Sequence, residues 1–91
     1  MEVRWSSEDY HDLERIFARI YKENPEAARE VISTLYEGCA ALRDLPNRGR
    51  LGRIKGRREL VFPPLPYIAV YQVKAKAVEI SRIYHGAQDW P

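Results

Sequence analysis

The sequence predicts an α+β domain in which two antiparallel helices pack on one face of a small, mainly antiparallel sheet, in the order β-α-α-β-β-β. Three observations carry that expectation. Two stretches in the first half repeat apolar residues at helical spacing. The second half changes to short β-branched and aromatic runs separated by turn residues. A chain of 91 residues has room for one core, so residues 1–91 form a single domain and both halves must share it. With 45% hydrophobic and 31% charged residues the balance is that of a folded chain and not of a disordered one.

Val3 and Trp5 share one face of a short strand over 2–5. Ser6 is a good helix N-cap, and Asp9 three residues on supplies the acidic half of a capping box. The helix that follows carries Leu13, Ile16, Phe17, Ile20 and Tyr21 as its apolar stripe. Its solvated side is Asp12, Glu14, Arg15, Arg19, Lys22 and Glu23, and His11 lies among the acids as a surface residue. Asn24 then caps a second helix begun by Pro25, with Glu26 near the positive end of its dipole. Ala28, Val31, Ile32, Leu35, Cys39 and Leu42 line that helix, which should end near Leu45, before the turn residues Pro46, Asn47 and Gly49. Gly38 inside it costs on the order of 1 kcal/mol relative to alanine, which a close helix–helix approach would explain.

From residue 48 the pattern is β. A strand is expected over 57–62, then a break across Pro63, Pro64, Leu65 and Pro66. Residues 67–73 (YIAVYQV) make the strongest strand in the chain. Lys74, Ala75 and Lys76 form a polar turn, residues 78–84 the last strand, and residues 86–91 an exposed tail. The N-terminal strand must return to pair with this meander. Alternation along 67–73 puts Tyr67, Ala69, Tyr71 and Val73 on one side and Ile68, Val70 and Gln72 on the other, so both sides are largely apolar. A sheet solvated on one side alternates apolar with polar. This strand is therefore expected to be covered twice, either by a segment of another chain or by its own loop or tail.

Several function classes are disfavoured at this level. The lone Cys39 forms no internal disulfide and reads as a buried apolar residue in a reducing cytoplasm. Glu2 and Arg4 directly after Met1 do not resemble a signal peptide, and no apolar run is long enough to span a bilayer, so no membrane association is expected. Metal-ligand spacing, a nucleotide-binding glycine loop and a nucleophile triad are all missing from the pattern, so neither a metal nor another cofactor is expected.

Charge is distributed unevenly. Residues 1–47 hold six Lys/Arg and ten Asp/Glu, whereas residues 48–91 hold nine and three, within a formal net charge of +2. Such an asymmetry favours an acidic partner for the second half. It peaks at residues 48–58 (RGRLGRIKGRR), where Arg48, Arg50, Arg53, Lys55, Arg57 and Arg58 occur without an acid and with three glycines between them. Glycine lets a backbone follow a ligand closely, and arginine pairs with phosphate or carboxylate in bidentate fashion. A docking loop is favoured over a merely solvated hairpin. Arg82 and His85 lie near the end of the last strand, where an arginine beside a titratable histidine is suited to acid–base chemistry on a phosphodiester. A single strand-end histidine is, however, more often structural.

The order of elements and several local strings resemble the RelE/ParE toxin superfamily over nearly the whole chain. They are Val3-Arg4-Trp5 before SSEDYHDLERI, Asn24-Pro25-Glu26-Ala27-Ala28, Leu45-Pro46 leading into Arg48-Gly49-Arg50, and Gly56-Arg57-Arg58-Glu59-Leu60. Tyr67-Ile68-Ala69-Val70-Tyr71 and the closing residues from Ile83 through Trp90 to Pro91 complete the set. The resemblance implies the toxin of a bacterial type II toxin–antitoxin module, whose cognate antitoxin folds around it and covers exposed apolar surface, here Ile68 and Val70. RelE-like members are ribosome-dependent, metal-independent mRNA endonucleases, with an arginine directly after the tyrosine that opens the central strand. Ile68 stands there in this chain, so a nuclease would have to rely on Arg58, Arg82 and His85 instead. ParE-like members bind and inhibit DNA gyrase, and their strand is commonly apolar at this point, as here. The resemblance is therefore closer to ParE-like members. It implies a target-binding surface of Arg48, Arg50, Arg53, Lys55, Arg57, Arg58, Arg82, His85 and Trp90. A diverged module of the same fold that binds a partner without toxicity is the third expectation.

Overall fold

Ser6 begins the first helix as its sequence context demands: its hydroxyl accepts from the Asp9 N–H at 3.2 Å while the Asp9 carboxylate accepts from the Ser6 N–H at 2.9 Å. The computed structural model, which describes residues 1–86, has β1 (Glu2–Arg4), α1 (Ser7–Tyr21), α2 (Pro25–Ala40), β2 (Arg50–Leu51), β3 (Arg58–Phe62), β4 (Leu65–Val73) and β5 (Ala77–His85). Asn24 caps α2 through the Ala27 N–H at 3.1 Å. Residues 22–24 are all that join the helices, which folds them into a hairpin. The helical register continues past α2 only as a 3₁₀ turn at Ala41–Arg43, so α2 is shorter than its apolar stripe suggested. Leu42 nevertheless remains fully buried.

The sheet runs β1-β5-β4-β3-β2. Its second half is the expected antiparallel meander, and β1 returns to pair with β5 in parallel, Val3 opposite Val78. Two details differ from the sequence expectation. A two-residue strand, β2, folds back on β3 out of the basic segment, with Arg50 opposite Glu59. β4 starts at Leu65 and runs through Pro66, so the proline break is confined to residues 63 and 64. A register shift between Val70 and Tyr71 leaves Ser81 as an extra residue of β5, a β-bulge.

Both helices lie on one face, α1 over β5 and α2 over β3 and β4. The core between the layers joins Leu13, Ile16, Leu35, Cys39 and Leu42 to Leu60, Phe62, Tyr67, Ala69, Tyr71, Val78, Ile80 and Ile83. Burial pushes the Cys39 thiol up to about 12, so it packs as an apolar group with no reactive thiolate. Tyr21, expected in the α1 stripe, is 47% exposed and stacks on Phe17 at 5.3 Å instead. Gly38 marks a close approach to the sheet, not to the other helix. A Cβ there would lie 2.5 Å from Cε1 of Phe62. The glycine lets α2 settle on the Phe62 ring, which is only 8% exposed.

Gly38→Ala sets about 1 kcal/mol of helix propensity against a collision with a confined ring, and overpacking of this kind costs about 1–3 kcal/mol. The single variant should be destabilised in urea unfolding, and combination with Phe62→Leu should recover part of the loss. Stabilisation of the single variant would refute the close-contact account.

Candidate functional site

The basic segment is not an unsupported run of charge. Glu59, the first acid after it, points its carboxylate into the segment and is 3% exposed. Arg50 donates to Oε1 from Nε at 3.1 Å and from Nη2 at 3.0 Å, and the Arg53 backbone N–H donates to Oε2 at 2.9 Å. The Arg53 side chain approaches the same oxygen at 4.0 Å. Burial pushes this carboxyl up, but the donors from Arg53 and Arg50 outweigh it and hold the group below its ordinary range. A single buried carboxylate thus shapes the loop, while the Arg50 and Arg53 side chains remain 56% and 52% exposed.

Tyr71 fixes the other end of the segment. Its hydroxyl is in the fully buried core of β4, donates to the Pro46 carbonyl at 2.7 Å and accepts from the Gly49 N–H at 2.8 Å. Burial raises the phenol above its ordinary value, which preserves the proton it donates. Gly49 is required by this contact, since a Cβ would lie 2.7 Å from the Tyr71 ring and 2.9 Å from the Glu59 carbonyl. Arg58 reinforces the turn by donating to the Gly49 carbonyl at 2.7 Å. Arg57 reaches the bulged Ser81 hydroxyl at 2.5 Å. Arg48 and Lys55 are exposed.

At the far side of the sheet β1 pairs only with residues 77–79 of β5, so among the described residues no strand pairs with the upper edge of β5. Asp12 of α1 occupies that edge. It accepts from the Ile83 N–H at 2.9 Å and from Arg82 through Nε at 2.8 Å and Nη2 at 3.0 Å, and also pairs with Arg15. The expectation that Asp12 belongs to the solvated face of α1 is therefore corrected: it is 2% exposed. It lies four residues before Ile16, only 40° around the helix from it, so the stripe itself signals inward placement. Arg82 also approaches Glu8 at 3.7 Å and lies 5.3 Å from the centre of the Tyr84 ring. Asp9, one turn earlier, is fully buried, and its Oδ1 has no hydrogen-bond partner among the described residues. Burial raises its carboxyl, against the lowering effect of the Ser6 hydrogen bonds.

The three basic candidates for phosphodiester chemistry are not gathered at one point. Arg58 turns to the Gly49 carbonyl, Arg82 to Asp12 across the β5 edge, and His85 meets the Tyr67 ring edge-on at 5.4 Å. Arg50, Arg53, Arg57 and Arg58 cluster around Glu59 and the adjoining strand. Trp90 lies outside the described residues. Ile68 and Val70 are on the face opposite the helices, packed with Tyr84, and are 8% and 2% exposed. Sequence reasoning missed Asp12, Glu59 and Tyr71 as the groups that place the arginines. Glu59 had a visible signal in its position directly after an acid-free cationic run. Among the described residues no group of three His, Cys, Asp or Glu is placed to hold a metal ion, and no helix is long and apolar enough to cross a membrane.

The arrangement of a helical hairpin on a five-stranded sheet recurs in a chain of the solved "Chromosomal ParDE TA system from P. aeruginosa". The two superimpose with a TM-score of 0.86 at 27% identity, over 93% of this chain and 95% of that one. The chain is 39% identical over 89 residues to the Y4kP protein of Sinorhizobium fredii, covering 98% of this chain and 92% of that protein. It is 33% identical over 87 residues to the toxin RelE2 of Caulobacter vibrioides, covering 96% and 97%. Fold and relatives together define a small α+β toxin of the RelE/ParE type. Residues 3–90 match the family described as ParE toxin of type II toxin-antitoxin system, parDE, and the chain belongs to that family.

Two outcomes test the buried carboxylates. The raised Asp9 carboxyl makes a contribution to stability that is full below its unfolded value of about 4 and is lost as pH rises through the folded value. Asp9→Asn should therefore flatten the fall in stability as pH rises from the unfolded value of about 4, read by urea unfolding, and an unchanged slope would count against it. Glu59 has the opposite sign: its depressed carboxyl stabilises above about pH 4.3, and that contribution is lost as pH falls through the folded value. Glu59→Gln should cost about 1–2 kcal/mol at neutral pH, discounted for the exposure of Arg50, and should speed amide exchange at Arg53.

Proposed function

We propose that this ParE-family toxin arrests growth in the cytoplasm by binding and inhibiting DNA gyrase, and that a cognate antitoxin neutralises it. The observation that carries the reading is Ile68. It follows the tyrosine of the central strand, where the resemblance places an arginine in RNA-cutting members, and its side chain is 8% exposed. An isoleucine neither stabilises phosphorane charge nor moves a proton. The divergent engagement of Arg58, Arg82 and His85 also favours binding over cleavage.

The basic loop suits a docking role because its shape is set before any partner arrives. Glu59 and Tyr71 hold the backbone, and Arg48, Lys55 and the exposed parts of Arg50 and Arg53 face outward. A preorganised charged surface loses less entropy on docking than a mobile one. An antitoxin segment reaching Ile68 and Val70 must displace the cover they already have in the chain alone, so the antitoxin contact is proposed to include a rearrangement around Tyr84.

Expression of the toxin without its antitoxin should arrest growth and induce a DNA-damage reporter. Purified toxin should inhibit supercoiling by gyrase and accumulate cleaved DNA, and Arg48→Glu with Lys55→Glu should weaken both effects at least tenfold. Unaltered supercoiling at toxin excess would reject the gyrase reading. If translated messages were then found cut, dependent on Arg82 and His85, the RelE-like endonuclease reading would replace it. Absence of any growth defect would leave a diverged, non-toxic binding module.

A further inference from the structure

A second cationic feature lies away from the basic loop, where Arg15 pairs with Asp12 and Arg19 bonds to Tyr67 while both side chains keep exposed surface. Arg15 and Arg19 of α1 and its C-cap Lys22 follow one another at positions i, i+4 and i+7 and line one wall of a cleft of about 580 Å³. The opposite wall is the C-terminal part of β5 and the start of β4, with His85, Tyr67 and Ile83. The walls are tied together by Arg19, which donates to the Tyr67 hydroxyl at 2.9 Å, while His85 packs edge-on against the same ring.

The electrostatics of this cleft are those of an anion site. Three cations stand against one carboxylate, Asp12, among the lining residues. Asp12 is 2% exposed and already accepts from Arg82, Arg15 and the Ile83 N–H, so it presents little negative charge to a ligand. Arg15, Arg19 and Lys22 are exposed on the wall itself. Seven residues of helix advance about 10 Å, which is the axial length of about three phosphates along one nucleic-acid strand. Guanidinium forks match phosphate oxygens in bidentate fashion, and the ammonium group adds a point charge.

We infer that the cleft between α1 and the end of β5 binds successive phosphodiesters of a nucleic-acid strand through Arg15, Arg19 and Lys22, so that the toxin itself contacts nucleic acid. This goes beyond the gyrase reading and does not depend on it. An acidic peptide would be held by the same charge, but it offers no regular series of phosphate-like tetrahedral anions along a 10 Å row. The linear spacing of the cations therefore favours the strand.

The test is fluorescence anisotropy of the full chain with a labelled 12-nucleotide single-stranded DNA, the same sequence as RNA, and a glutamate-rich peptide of equal charge. Wild type is compared with Arg19→Ala/Lys22→Ala and with Lys22→Glu. The second variant avoids the Arg19–Tyr67 hydrogen bond and so remains informative if the first is unstable. Lys74→Ala/Lys76→Ala removes the same charge as the double variant from the exposed β4–β5 turn. Both cleft variants should weaken strand binding about tenfold and flatten its salt dependence, while the turn variant changes it less than twofold. Preference for DNA or for RNA identifies the source of the phosphodiesters, and either supports the site. Equal weakening by the turn variant, unchanged binding by both cleft variants, or tighter binding of the peptide than of either strand would overturn it.

Discussion

A buried carboxylate at the seam between helix and sheet organises this molecule. β1 is too short to cover the whole of β5, and a half-paired edge leaves a backbone N–H and a flank of core exposed. Asp12 satisfies the Ile83 N–H and simultaneously pairs with Arg82, so α1 substitutes for the strand that is missing there. Removing a carboxylate from water is expensive unless its lone pairs are matched, and here four hydrogen bonds from three residues of β5 and α1 match them. The position of the helical hairpin follows, because α2 is connected to α1 by only three residues and must pack where that connection allows.

The same rule governs the opposite edge. Glu59 collects Arg50 and the Arg53 backbone in a small hairpin, and Tyr71 secures the turn that enters it. These two carboxylates divide the arginines into groups with different physical roles. Arg82 and, in part, Arg50 and Arg15 balance buried charge, whereas Arg48, Lys55, Arg19 and Lys22 present theirs to solvent. A count of basic residues does not distinguish these groups. The distinction matters for function because a guanidinium committed to a buried acid is not available to a target without exposing that acid.

The apolar layer on the second face of the sheet is part of the same economy of surface. Ile68 and Val70 at the centre of the sheet are covered in the isolated chain, with Tyr84 among their neighbours. Arg82 lies over Tyr84 while it bonds to Asp12, so the edge that α1 completes also touches the face a partner would approach. Changes at the seam and changes at the open face are therefore physically linked through one side chain.

Local and periodic information was readable without the fold. The Ser6–Asp9 capping box, the Asn24-Pro25 helix start, most of the apolar stripes and the cores of the two long strands are decided by residues within a few positions of one another; the caps stand where the sequence placed them, and the strands extend one or two residues beyond the expected bounds. What depended on long-range partners was not readable. Asp12 and Arg82 are separated by 70 positions, and Gly49 and Tyr71 by 22. Nothing in the periodicity of α1 identifies which strand edge will need a carboxylate, and nothing in a glycine inside α2 identifies a phenyl ring on β3 as its neighbour. The sequence by itself determined the α+β class, the order of its elements, the family resemblance and the concentration of charge in residues 48–58. Only the tertiary structure decided which of those charges are spent on burial and which face outward, because the desolvation of an ion depends on everything that surrounds it and not on its neighbours in the chain.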